Sequence, residues 1–275
     1  MSFKSMKKIK TQCPAKINLY LKVLDKREDG YHNIDTSFQL IDLADEMSFE
    51  ISEKDIHINS NEDFLCDENN TIYKSAMKIK EMFDIKNGVK INIEKKIPVG
   101  SGLGGGSSNA ASTLVALKKL WNLDIDTSGL IDVAQSIGAD VPFFIFGKNS
   151  IGSGIGEKLK FTNTIKENLI LIQPDIHNST KEMFNQFDTC REKNILLANS
   201  TQNDFWDIFI MRSSAVKEFY EQVSKDYELN LTGTGSCMYV RYNSEEELNK
   251  ILKKIPSNWR FFFCKPLQYS PICYI

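Results

Sequence analysis

Residues 98–112, PVGSGLGGGSSNAAS, place Gly100, Gly102, Gly104, Gly105 and Gly106 within seven positions and follow them with Ser107, Ser108 and a helix-forming run. A glycine inside a regular element costs about 0.5–1 kcal/mol relative to alanine, so this density points to a backbone that something must approach closely. Glycines let N–H groups converge, and a helix opening at Ser107 or Ser108 would add unpaired donors and roughly half a positive charge. Phosphate suits such a cradle. Gly100, Gly102 and Gly105 also satisfy the G-x-G-x-x-G of dinucleotide folds. The acidic residue that such a fold needs about 20 positions on should end a strand, whereas Asp124 and Asp126 fall between two helical stretches. No Gly-Lys-Ser/Thr follows the loop for a Walker A motif, and no H-R-D or D-F-G marks a protein kinase.

Other side chains fit for chemistry are scattered along the chain. Asp140, in GADVPFF, follows a helix and a glycine and is expected to precede a strand. From there a carboxylate either points into a cleft or bonds its local backbone. Lys16 and Asn18 lie side by side on the outer face of an alternating strand, Ala15–Val23, where a lysine is commonly solvated. Tyr31 and His32 follow the Asp29-Gly30 turn, as a packing aromatic and a surface histidine or as ligand contacts. Phe184, in STKEMF, is as much a core candidate as a binding one. Gly233 and Gly235, in TGTGS, form a second glycine turn.

The segment PVGSGLGGGSSNAA resembles the second motif of the GHMP small-molecule kinases, whose usual form is P-x-x-x-G-L-G-S-S-A. PAKINLYLKVLDKREDGYHNIDTSFQLIDLAD, GADVPFFIFG and LTGTGSCMYV sit in the family's order, so the resemblance spans Pro14 to Val240. They are most similar to the branch that phosphorylates the tertiary 2-hydroxyl of 4-diphosphocytidyl-2-C-methyl-D-erythritol. The resemblance implies an α+β, two-domain GHMP kinase fold, with an N-terminal ribosomal-protein-S5-domain-2-like domain, a C-terminal ferredoxin-like α/β domain and the active site in the cleft between them. It implies ATP as phosphoryl donor, with Mg2+ travelling on the nucleotide. Pro98, Val99, Gly100, Ser101, Gly102, Leu103, Gly104, Gly105, Gly106, Ser107 and Ser108 would then hold ATP. By the same resemblance Asp140 takes the proton of the accepting hydroxyl and Lys16 is its partner. Tyr31 stacks on the cytosine, His32 hydrogen-bonds it, and Asn18 faces the same site. Phe184 matches a second aromatic against the ring, Thr180 a polar neighbour, and Gly233, Thr234 and Gly235 a turn that closes over the substrate phosphates. Metal ligands stay unassigned. Ser101 stands where relatives usually carry Gly or Ala, and TGTGSC replaces a Ser-Gly-Thr-Gly form. His57 and His177 match nothing and read as surface or turn residues. A homoserine or mevalonate kinase would lack the G-Y-H segment, and a non-catalytic ligand sensor would have no need to keep both Lys16 and Asp140.

The elements that must position these residues follow from periodicity. Strands are expected at 15–23, through TSFQLIDLADEMSFEI, at DIHINS and at VKINIEKKI, and a helix over NNTIYKSAMKIKEMF. Ala110, Leu114, Leu117 and Trp121 share one stripe behind the glycines, DTSGLIDVAQSIG is a short helix, and VPFFIFGKNSIGSGIGEKL reads as strand, turn, strand. A polar turn near 162–167 divides an ATP-binding unit, 1–164, from a second unit, 165–275. The second unit reads as strand NLILIQP, helices over TKEMFNQF and NDFWDIFIMRSSAVKEFYEQV, strand CMYVRY, a helix capped by Ser244 and a closing strand WRFFFC. Lys and Arg total 34 against 36 Asp and Glu, a net charge of −2. That balance offers no field for nucleic acid or an anionic membrane, and the resemblance implies a small-molecule substrate as the partner. The six cysteines show no C-x-x-C pair and read as reduced thiols, and the basic start lacks a signal-peptide core. A cytoplasmic monomer or weak homodimer is expected.

Overall fold

The structure, a computed structural model, describes residues 8–193, 195 and 202–275. The alternation read over 15–23 belongs to a longer hairpin, β1 (Lys8–Lys26) and β2 (His32–Ser52), whose turn carries Gly30 at φ +87°. Register shifts at Pro14/Ala15, Asn18/Tyr20 and Val23/Lys26 bend the pair, as extra residues in one strand do. β3 (Ile56–Ser60), α1 (Thr71–Met82) and β4 (Gly88–Glu94) follow, with the Asn70 side chain accepting from Ile72 N at 2.8 Å to open α1. Next come α2 (Gly105–Leu120), α3 (Thr127–Gln135), α4 (Val141–Phe146), β5 (Ser150–Ser153) and β6 (Lys158–Phe161). The sheet runs β3-β4-β2-β5-β6, with β1 also paired to β2, and the four helices pack on it through one large apolar core.

The second half holds β7 (Asn168–Gln173), α5 (Thr180–Glu192), α6 (Trp206–Met211), α7 (Ser214–Val223), β8 (Leu229–Leu231), β9 (Met238–Tyr242), α8 (Glu245–Leu252) and β10 (Arg260–Cys264). Its antiparallel sheet, β10-β7-β9-β8, puts the first strand between the fourth and third, the ferredoxin-like order. As expected, Ser244 caps α8, accepting from Glu247 N at 3.2 Å. The chain then crosses back. β11 (Pro266–Leu267) pairs with β2, and Ser270 N donates to Gly147 O at 2.9 Å, so the C-terminus braces the end of α4. A third core joins the halves: Ala15, Ile17 and Ile41 of the first sheet, Leu103 of the glycine loop, Leu169, Leu171 and Tyr239 of the second sheet, and Cys237 just before its third strand. No helix among the described residues is long and apolar enough to cross a membrane.

Three expectations need correction. VPFFIF is a helix, α4, not a strand, so Asp140 precedes a helix. The unbroken apolar run imitates a buried strand, but Pro142 lacks the N–H a central strand needs and suits a first helical turn. Gly147, at φ +65°, ends the helix. The helix behind the glycines opens at Gly105, with Gly104 as its N-cap at φ +69°, two to three residues before the serines. Lys16 and Asn18 are on no solvent-facing surface: their face of β1 is covered by the glycine loop and by residues 232–239, and both are buried.

Candidate active site

Asp140 occupies the N-cap position of α4, yet its side chain makes no capping bond. It turns instead to Lys16 Nζ, 3.6 Å from its Oδ2, with a third of the carboxylate side chain exposed and Lys16 at 4%. Nζ also donates to Asn18 Oδ1 at 2.7 Å and lies 5.6 Å from the centre of the Phe38 ring. Burial pulls the Lys16 ammonium below its ordinary value, outweighing the upward pull of Asp140. A buried cation beside a half-open carboxylate suits proton transfer from a hydroxyl entering on the open side.

This pair meets the glycine loop. Lys16 N donates to Leu103 O at 3.0 Å, and a Cβ on Gly104 would come within 3.2 Å of Lys16 Cε. Helix geometry leaves the N–H groups of Gly105, Gly106 and Ser107 without intrahelical acceptors, while Ser108 N reaches Gly104 O at 2.9 Å. The glycines divide into two kinds. A Cβ on Gly102 would strike Thr232 O at 2.2 Å, and one on Gly105 would meet Lys95 Nζ at 2.9 Å, so these are glycines because protein packs on them. On Gly106 it would find only Thr71 Oγ1, at 3.7 Å, and on Gly100 only the His177 ring, at 3.7 Å. Gly106 and Gly100 are exposed with Val99, and Ser107 is half-buried, so they form the open surface of the loop. Pro98, Ser101 and Leu103 are buried under it, and Ser101 Oγ closes the turn onto Pro98 O at 2.7 Å. Ser108 Oγ is buried without a partner in the first turn of α2.

Asp45, missed in the sequence, fixes both ends of the loop. Its carboxylate is sealed from solvent and accepts from Lys95 Nζ at 2.6 Å, Lys96 N and Ile97 N at 2.8 Å, and Asn109 Nδ2 at 2.9 Å. The first three enter the loop and the fourth lies on α2, so one side chain sets the span between them. The single signal was an acidic residue inside a strand otherwise rich in apolar positions.

The second glycine turn packs on the first. Asn18 Oδ1 accepts from Gly233 N at 2.9 Å, Asn18 Nδ2 donates to Thr36 Oγ1 at 2.8 Å, and Thr232 Oγ1 bonds Gly102 O at 3.2 Å. With both amide ends engaged inside the protein, Asn18 holds Lys16 and the turn in place. Asn203 donates to Gly233 O at 2.8 Å, Asn178 Nδ2 donates to Thr234 O, and Thr180 Oγ1 lies 3.2 Å from Thr234 Oγ1. Gly233 and Gly235 take φ +57° and +89°, which only glycine adopts freely. Asn178 and Asn203 carried no sequence signal, because their partners are backbone atoms far along the chain.

Away from the loop, Tyr31 is 58% exposed at the hairpin tip. His32 is buried, with Nε2 2.7 Å from Asp188 Oδ1 and its ring stacked on Phe184 at 5.1 Å. Phe184 also meets the edge of Phe205 at 4.8 Å, so it packs in the second core while presenting a face to His32. Thr180, Phe184 and Asp188 recur every four residues along one side of α5, Thr180 meeting Thr234 and the other two meeting His32 of the hairpin. Burial pushes the Asp188 carboxyl up, but bonds from Lys26 and His32 outweigh it and hold the group below its ordinary value. No group of three or more His, Cys, Asp and Glu able to hold a metal ion exists among the described residues. Cys13, Cys237 and Cys264 are buried, unpaired core thiols.

The GHMP kinases N terminal domain matches residues 70–148, from α1 through the glycine loop to the end of α4. A 4-diphosphocytidyl-2-C-methyl-D-erythritol kinase of Francisella philomiragia is 38% identical over 267 residues, covering 94% of this chain and 96% of its own. One of Methylococcus capsulatus is 35% identical over 271 residues, covering 96% and 93%. A crystal structure of 4-(cytidine 5'-diphospho)-2C-methyl-D-erythritol kinase superposes with a TM-score of 0.77 at 26% identity, over 94% of this chain and 99% of that one. Homoserine kinase from Cytophaga hutchinsonii reaches 0.71 at 17% identity over 98% of both chains, a likeness of fold alone. With a GHMP kinase fold, and more than a third of its residues shared with such relatives over nearly all its length, the chain belongs to the 4-diphosphocytidyl-2-C-methyl-D-erythritol kinase family within the GHMP kinases.

Proposed function

We propose that the protein transfers the γ-phosphoryl group of ATP to the tertiary 2-hydroxyl of 4-diphosphocytidyl-2-C-methyl-D-erythritol, giving the 2-phosphate and ADP, a step of non-mevalonate isoprenoid precursor synthesis. The observation that carries the reading is the Lys16–Asp140 pair at 3.6 Å, set against the glycine loop that opens α2. The γ-phosphoryl group lies over the free N–H groups of Gly105, Gly106 and Ser107, with Val99 and Gly100 along the nucleotide. The hydroxyl oxygen attacks phosphorus, its proton passes to an Asp140 oxygen, and the bond to the β-phosphate oxygen breaks to release ADP. Lys16, held beside Asp140 and Asn18, orients the carboxylate and faces the negative charge of the phosphoryl group in transfer.

Mg2+ carried on the triphosphate would neutralise part of its charge. The open side of Asp140 is the protein oxygen that would fit it. The hairpin tip and α5 receive the cytosine: Tyr31 stacks on it, His32 bonds it, and Phe184 backs the His32 ring. Asn18, Thr180, Gly233, Thr234 and Gly235 hold the turn facing the substrate phosphates. On this reading residues 1–164 form the ATP-binding unit and 165–275 the second, with Pro266–Leu267 returning to the first sheet. An assay coupled to ADP release, comparing the cytidyl substrate with mevalonate and homoserine, tests the assignment. Turnover of the cytidyl substrate alone is expected; turnover confined to either of the others would overturn it.

A further inference from the structure

We propose that Asp188 decides which nucleobase the site accepts, by holding the ring proton of His32 on Nε2. The inference rests on the reading of His32 as a base-binding residue. His32 is fixed three ways: by its backbone in β2, by the stack on Phe184 with 24° between planes, and by the 2.7 Å bond from Nε2 to Asp188 Oδ1. A carboxylate only accepts, so the nitrogen facing it carries hydrogen. Lys26 Nζ, 2.6 Å from the other Asp188 oxygen, already supplies this carboxylate with a cation. The ring therefore serves Asp188 as an N–H donor and leaves Nδ1 as an acceptor. Nδ1 has no hydrogen-bond partner among the described residues.

An acceptor at this point selects a donor. The only donor on the pairing edge of cytosine is its 4-amino group, whereas uracil carries there a carbonyl oxygen that only accepts. A uracil could answer Nδ1 only with its N3–H, one ring atom over, which would draw the far hydroxyl out of line with Asp140. Asp188 is thus a positioning residue, acting through His32 from a helix 156 residues away in sequence. Sites built around a specific hydrogen bond discriminate strongly against partners that leave it unmade, so the cytidyl substrate should be favoured by about 100-fold or more.

The test compares kcat/KM for the cytidyl substrate and its uridyl counterpart in the wild type, Asp188→Asn and Asp188→Glu. An asparagine amide can donate to Nε2 and let the proton move to Nδ1, so Asp188→Asn should narrow the cytidyl preference about tenfold or more. The change should appear in KM for the cytidyl substrate rather than in KM for ATP. Asp188→Glu should restore the preference. An unchanged ratio in Asp188→Asn, or equal losses on both substrates, would overturn the proposal and leave Asp188 a purely structural role. Wild-type turnover of neither substrate would overturn the functional reading and this proposal together, a result distinct from an unchanged ratio. Should the variants fail to fold, nitrogen-15 shifts of His32 in the intact protein decide the point. With three histidines in the chain, His57→Gln and His177→Gln assign the signals. A protonated Nε2 with a bare Nδ1 is expected; the opposite tautomer would overturn the proposal.

Discussion

The two ends of the proposed site are built from different materials. At the phosphate end the working groups are backbone N–H groups, held by buried bonds from Asp45, Asn18 and Thr232. At the base end they are side chains, Tyr31, His32 and Phe184, on a hairpin tip and one helix, with Tyr31 exposed and His32 buried against Phe184. Phosphate is recognised by charge and shape that any well-placed N–H can match, so that end is rigid and tolerates no added Cβ at Gly102 or Gly105. A base is recognised by an ordered row of donors and acceptors, which only particular side chains present. Stability should therefore concentrate at one end and selectivity at the other.

The sharpest break falls between the ends, on the proposed catalytic pair. Asp140→Asn, and likewise Lys16→Ala, should lower turnover by about 10²–10⁴ while ATP binding persists. Rapid-quench kinetics beside nucleotide titration would check it. At the phosphate end, Asp45→Asn strips the buried Lys95 of its anion and should cost about 3–5 kcal/mol of stability with a raised KM for ATP. Urea unfolding at constant ATP checks this. Within the loop the two kinds of glycine should separate. Gly102→Ala, at φ +77° and against Thr232 O, should cost about 1–3 kcal/mol, whereas Gly106→Ala should leave stability within about 0.5 kcal/mol and raise only the KM for ATP. Equal destabilisation would erase the distinction. At the base end, Tyr31→Ala should cost about 1–3 kcal/mol of substrate affinity with no change in melting temperature.

The smallest effect is in pH. The Asp188 carboxyl is held below its ordinary value, so its contribution is complete above the unfolded value and lost as pH falls through the lower folded one. The melting temperatures of wild type and Asp188→Asn should differ near neutrality and converge as pH drops below about 4. A gap that persists in acid would show that Asp188 stabilises by packing instead.

The same contrast explains what the sequence could disclose. The phosphate end was legible because glycine density is a local signal, although packing against Thr232 and Lys95 accounts for two of its glycines. Lys16 was misjudged as solvent-facing because β1 alternates cleanly, and nothing in residues 15–23 announces that the glycine loop and the turn at Thr232 and Gly233 cover their polar face. VPFFIF looked like a strand because six apolar residues carry no period, and the proline was the overlooked cue. Asp188 and Asn178 were invisible for a different reason: each acts on a residue or backbone atom more than fifty positions away, a separation no periodicity encodes.

The proposed reaction is phosphoryl transfer from ATP to the cytidyl alcohol by way of Asp140. Phosphorus-31 NMR of ATP and 4-diphosphocytidyl-2-C-methyl-D-erythritol, followed with the wild type and with Asp140→Asn, tests it most directly. A new phosphomonoester resonance should grow with ADP in the wild type and be slowed by about 10²–10⁴ in the variant. ADP appearing without that resonance, or equal rates from both proteins, would contradict it.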